Sequence, residues 1–320
     1  MLTQIGKWAE RFSAVSPWSN VYGLARTLLA LGTLVTLAAT PSDVLFQPAG
    51  GAAHPPMCNG ARQISVFCIA SHVPSELVRW LSVVALVVVA SGFRPRLTGI
   101  VHWWIAFSFQ GSSPIGDGGD QAAAVLSLLL VPLTLLDGRV WHWQTDESRG
   151  GFAARTFGHV TLLACRLQVA GIYLHAAAGK FTHEEWANGT AVYYWFTHPL
   201  IGARGWVFAL LRPLLITEGV ALITWGTIIF EFFLAAAVVA PRKPRQVLLW
   251  SGIAFHGGIL LIHGLVSFAT IMFGALVLLM RMPDEVFALP RWVSVKGTVR
   301  GLLAARGSQE PPWSPVRPKV

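Results

Sequence analysis

Apolar runs of membrane-crossing length follow one another along this chain, and its basic residues collect in the breaks between them. A helix needs about 20 apolar residues to cross a hydrocarbon slab of about 30 Å. Unpaired backbone groups are too costly in lipid for any open, irregular alternative. The rhythm reads as eight spans, at about 21–40, 77–93, 97–110, 121–136, 160–179, 214–240, 247–263 and 265–280. Only 12% of the residues are charged, against roughly 25% in a soluble domain. The expected fold is all-α, a polytopic bundle solvated mainly by lipid.

The basic residues also orient it. Of the 24 Lys and Arg, 17 lie in the N-terminal segment, the 94–96 turn, the 137–158 loop, the 242–245 turn and the tail from Arg281. The positive-inside rule makes that side cytoplasmic, so both termini are inside. This distribution explains the net charge of +9 without any nucleic-acid partner. Residues 1–18 place Leu2, Ile5, Trp8 and Phe12 at helical spacing and read as an amphipathic cytoplasmic segment. Residues 19–281 form the transmembrane domain, and 282–320 a basic cytoplasmic tail, partly disordered. Cys58 and Cys68 fall in an outward loop where oxidation is permitted, so a disulfide is expected. Cys165 reads as a small buried apolar residue. No His or Cys stands near the pair at zinc spacing, so no metal is expected.

Residues 166–186 carry the densest polarity within a span. Arg166, Tyr173 and Lys180 recur every seven residues. A helix drifts only about 20° per seven residues, so the three share one face. Gln168 and His175 repeat that spacing on the opposite face. Glu231, His256 and His263 add ionisable groups in later spans, and such residues in lipid mark pathways, buried pairs or sites. Two readings compete. In one, Arg166 pairs with Glu231 and Lys180 reaches out to water at the membrane boundary. In the other, Lys180 folds into a partly apolar cavity and serves as a base. The 116–121 turn supplies Asp117 and Asp120, with Asp120 the expected cap of the fourth helix. Residues 190–200 read as a surface or re-entrant helix. The serine-hydrolase, zinc-protease and Cys/His nucleophile patterns are absent from the sequence.

These residues resemble a known family. Gly116-Asp117-Gly118-Gly119-Asp120-Gln121 leads into an apolar helix. Leu167-Gln168, Ile172-Tyr173-Leu174 and Gly179-Lys180 follow, then Trp186 and Gly189–Tyr194, with Glu231 and Phe255-His256-Gly257-Gly258 completing the set. Together they resemble the HTTM family, the transmembrane domain shared with vitamin K-dependent gamma-carboxylases. The 20–26 stretch and the Cys58/Cys68 loop are similar to its sporulation-delaying protein B branch. The resemblance covers about residues 21–280.

The resemblance implies maturation or modification of a secreted antimicrobial peptide, with a small accessory protein as partner. It implies Lys180 as catalytic base and a reduced quinone as cofactor. Arg166, Tyr173, His175, Glu231, His256, His263, Asp117 and Asp120 would shape the cavity and its charge. The chain lacks the large luminal domain of the carboxylases, so carboxylation itself is not carried over. The alternatives are a non-enzymatic scaffold, an immunity protein or a transporter for the same peptide system.

Overall fold

The computed structural model describes residues 10, 13–48, 56–144 and 150–287. Within them lie eight helices of 15 residues or more: α1 (Asn20–Ala39), α2 (Ser75–Ser91), α3 (Pro95–Ser112), α4 (Gly118–Leu135), α5 (Phe152–Lys180), α6 (Gly219–Ala236), α7 (Arg242–His263) and α8 (Val266–Met280). Among the described residues the only extended pairing is one bridge between Phe93 and Trp141. The protein is all-α. Helices α1, α4, α5, α6 and α7 are long and apolar enough to cross a membrane. Most of the expected N-terminal segment and nearly all of the tail lie outside the described residues.

Local chemistry sets the ends of these helices. Ser19 caps α1 by accepting from the Tyr22 N–H. Gly92 and Gly264 close α2 and α7 with φ of +88° and +73°, which a side chain would resist. Pro95 opens α3 at a position where its missing N–H costs nothing. The cap of α4 is Asp117 rather than Asp120. Its Oδ1 accepts from the Gly119 and Asp120 N–H groups, while Asp120 Oδ2 accepts from the Asp117 N–H. The two carboxylates form a capping box.

Two span boundaries differ from expectation. The apolar run from 214 to 240 is not one helix. Its first two residues end an amphipathic helix, Gly205–Leu215, and α6 begins only at Gly219. Pro213 lies near the break, and the Thr217 hydroxyl bonds the Pro213 and Leu214 carbonyls at 3.0 and 3.2 Å. Hydropathy alone does not register such a break. Helix α5 departs the other way, beginning at Phe152 instead of near Val160. Its 29 residues span about 43 Å at 1.5 Å per residue. The overhang is held by Arg155 and His159, which bond backbone carbonyls of residues 13–15.

Helices α1 and α8 cross antiparallel at the centre, and the contact depends on glycine. A Cβ on Gly32 would stand 2.2 Å from Ile271 Cγ1. Such close approach is how helices gain packing energy where lipid offers no hydrophobic drive. Gly99 does the same for α3 against α4, where a Cβ would meet Thr134 Oγ1 at 2.1 Å. Leu37, Leu86, Ile105 and Phe109 form a fully packed layer among α1, α2 and α3. Helix α5 packs on α4, α6 and α8, whereas α7 leans on α8 and barely touches α6.

The expected disulfide is present, joining Cys58 to Cys68 with Cα atoms 5.7 Å apart. Its loop is seated on the end of α3. Ser112 Oγ donates to Ser65 Oγ at 2.6 Å, and the Met57 N–H donates to the Ser112 carbonyl at 3.0 Å. Replacing both cysteines by serine should cost about 2–3 kcal/mol for a closed loop of this length. That is read as a lower unfolding midpoint of the solubilised protein. An unchanged midpoint would show that the serine contacts alone hold the loop.

Candidate functional site

Polar residues on α5 meet partners on two different helices. Lys180 Nζ donates to both carboxylate oxygens of Glu231 on α6, at 2.8 and 2.6 Å, and to the Ala176 carbonyl at 3.4 Å. About two turns earlier, Tyr173 Oη lies 2.9 Å from His256 Nε2 on α7. The seven-residue repeat therefore does what its spacing implied, presenting Tyr173 and Lys180 to the same side of the bundle. Tyr173, Glu231 and His256 are buried, and the Lys180 side chain is 18% exposed.

Glu231 lies about 18 Å along the α6 axis from Gly219, at 1.5 Å per residue. Lys180, the last residue of α5, is engaged with this carboxylate and its side chain is only 18% exposed. What covers it is aromatic. The ammonium stands 5.0 Å from the Trp186 ring centroid, a cation–π contact. Phe181 packs against Trp225 and Phe232, with centroids 6.0 and 6.5 Å apart. The short helix Ala191–Thr197 docks on α6 through the Val192 N–H and Thr224 Oγ1, 3.3 Å apart.

Arg166 has a different task from the pairing with Glu231 that its sequence position suggested. Its guanidinium donates to the carbonyls of Leu279 and Val238 at 3.1 and 3.2 Å and to Met282 Sδ at 3.3 Å. Those carbonyls lie at the C-terminal ends of α8 and α6, where backbone acceptors are orphaned and a cation is favoured. His175 is exposed on the far face of α5 and joins nothing in the cluster. His263 Nδ1 contacts the Ile201 carbonyl at 2.9 Å and its ring meets Phe196 edge-on, away from His256. Asp117 and Asp120 remain in their capping box. Phe268 separates them from the cluster, touching Gly119 on one side and the His256 ring on the other.

A second polar cluster is much more completely buried. In the 137–144 stretch, part of the polar loop expected at 137–158, Arg139 makes a two-pronged pair with Asp137 at 2.8 and 2.7 Å. Its Nη1 also donates to the Trp18 carbonyl at 2.8 Å. His142 is plugged between Gly23 and Gly92, either of which would collide with it if given a Cβ. The His142 ring also meets Arg26 Nη1 at 3.3 Å and Thr27 Oγ1 at 3.2 Å. Arg26 Nη2 donates to Thr98 Oγ1 at 2.5 Å. This cluster pins a connection into the bundle. Hydropathy hid it because Asp, Gly and Arg in a break read as solvent.

Among the described residues no group of three His, Cys, Asp or Glu is placed to hold a metal ion. The chemistry on offer at Lys180 is proton movement. In a low-dielectric site the energy separating an ammonium–carboxylate pair from an amine–carboxylic acid pair shrinks, because burying charge is costly. The Tyr173–His256 pair nearby can hold or relay a further proton.

No protein-family model matches the chain, and no solved structure matches it. Two curated proteins of Bacillus subtilis (strain 168) do. The uncharacterised protein YitO is 38% identical over 291 residues, 89% of this chain and 93% of that one. The sporulation-delaying protein SdpB is 38% identical over 266 residues, 82% of this chain and 81% of SdpB. Identity at that level across most of both chains shows that the chain belongs to the SdpB family.

Proposed function

We propose that this chain is an eight-span, HTTM-like membrane protein that matures or modifies an exported peptide in a sporulation-delaying type of system. The observation that carries it is the Lys180–Glu231 pair, held beneath Trp186 and next to Tyr173–His256. A mostly buried ion pair with no packing requirement of its own is a costly way to join two helices, and a proton-transfer role gives it a reason. Lys180 passes its proton to Glu231 and, as the amine, takes one from the bound substrate. Glu231 then keeps the transferred proton until it is released.

The bias of basic residues supports an orientation with both termini inside, the 19–281 region as the membrane domain, and 1–18 and 282–320 on the cytoplasmic side. The disulfide supports placing the Cys58/Cys68 loop outside, where it can form. Lys180 then opens to the outer compartment, where an exported peptide precursor and a small accessory protein would meet it. Trp186, Phe181 and Trp225 beside Lys180 offer a cation and flat apolar faces that fit a reduced quinone. Such a group would supply reducing equivalents at that position.

Mass spectrometry of the exported peptide, with and without this protein, tests the reading. A change in cleavage or added mass that depends on the protein supports it, and an identical peptide in both cases overturns it. A scaffold role has one observation in its favour: Leu200, Trp206 and Leu210 are 88%, 70% and 72% exposed along the 200–215 segment. Loss of maturation on changing these residues, with Lys180 tolerant of substitution, would establish that second reading.

A further inference from the structure

Midway along α5, about 21 Å along the axis from Lys180 at 1.5 Å per residue, cations gather without enough anions. Arg166 Nη1 and Arg245 Nη1 both approach Met282 Sδ, at 3.3 and 2.8 Å, so two guanidinium groups share one sulfur. Arg245 is 7% exposed and its Nε has no hydrogen-bond partner. The nearby carboxylates are committed to other cations, Glu285 to Arg281 and Asp284 to Arg242. Two like charges this close, Arg245 buried and Arg166 half-buried, call for a counter-ion.

Beside them opens a small cleft, with a cavity volume of about 60 Å³ before it merges with open space. Arg166, Arg281 and His159 contribute its polar wall, and Leu162, Leu163, Val277 and Leu278 its apolar one. Arg166 has five N–H donors and spends three on Leu279, Met282 and Val238. Tyr22 also lines the cleft, and its buried hydroxyl lacks a partner. An inorganic anion would satisfy the charge but leave the leucine wall without an occupant. A molecule with a phosphate at one end and a hydrocarbon chain at the other satisfies both.

We propose that this cleft binds an anionic glycerophospholipid, with its phosphate at Arg166 and Arg281 and an acyl chain along Leu162 and Leu163. Basic pockets between helices at the cytoplasmic surface are suited to such headgroups. Under the orientation given above, the lipid comes from the inner leaflet. The site is independent of any chemistry at Lys180. Its occupant would tie α5 to the ends of α1 and α8.

The full chain is purified from bilayers of equal phosphatidylglycerol and phosphatidylcholine, and retained lipid is measured by native mass spectrometry. The expected result is at least tenfold enrichment of phosphatidylglycerol. Leu163→Trp, which fills the cleft, should cut that retention at least tenfold. Leu174→Trp, at an exposed site on the same helix, should leave it unchanged. Arg281→Gln should reduce the preference for phosphatidylglycerol several-fold. Adding phosphatidylglycerol should raise the unfolding midpoint, and glycerol phosphate should not. Equal retention of both lipids, or equal retention by Leu163→Trp and the parent, would overturn the proposal. So would protection by glycerol phosphate alone, which would make this a small-anion site.

Discussion

Replacing Lys180 by alanine should lower peptide maturation at least about 100-fold, the lower end of what a positioned general base contributes. The measurement is mature peptide per unit of membrane-inserted protein. Normalisation matters because Lys180→Ala also strands the Glu231 carboxylate, and breaking a buried pair from one side costs about 3–5 kcal/mol. Lys180→Arg separates the two effects. It keeps the charge facing Glu231, so the protein level should recover, yet a guanidinium cannot release its proton and maturation should stay lost. Replacing both partners, Lys180→Met with Glu231→Leu, should likewise give a stable but inactive protein. Full maturation by Lys180→Arg would remove the base from the proposal and leave the pair a structural clasp.

The largest stability effect is expected at the other polar cluster. Asp137 and Arg139 are 1% and 2% exposed, so Arg139→Met leaves a buried carboxylate without its bonded cation. The cost should be about 3–5 kcal/mol, and the Trp18 carbonyl loses its donor as well. Thermal unfolding of the solubilised protein reads this directly. Arg242→Gln is the control, because the Arg242–Asp284 pair is largely exposed and an exposed pair contributes roughly 0–1 kcal/mol. If Arg139→Met proves as mild as Arg242→Gln, the connection is not held by this pair.

Much of the architecture was legible because lipid imposes a simple rule, that apolar runs become helices. Where the rule needs a second ingredient it fails. The division before α6 depends on Pro213 and Thr217, which hydropathy averages away, and the 137–144 stretch is buried by partners as distant as Trp18 and Gly92. The candidate site was half legible. A period of seven put Tyr173 and Lys180 on one face, because that follows from helix geometry alone. Which of Arg166 and Lys180 meets Glu231 depends on the relative register of α5 and α6, and no single-helix pattern contains it. Helix-end acceptors have no sequence mark either, so the task of Arg166 was invisible until the ends of α6 and α8 were placed.

The sparse meeting of α6 and α7 bears on how a substrate is counted. Each is fastened to α5 by its own polar pair, and between them the Phe230 and Phe255 rings, 5.4 Å apart, are a narrow closure. Under the proposed function, a seam of that kind would admit molecules already dissolved in the bilayer. A peptide or ring compound entering there would be supplied from a two-dimensional pool. Its half-saturation would then be a mole fraction of lipid, so adding empty vesicles at fixed substrate should slow the protein by dilution.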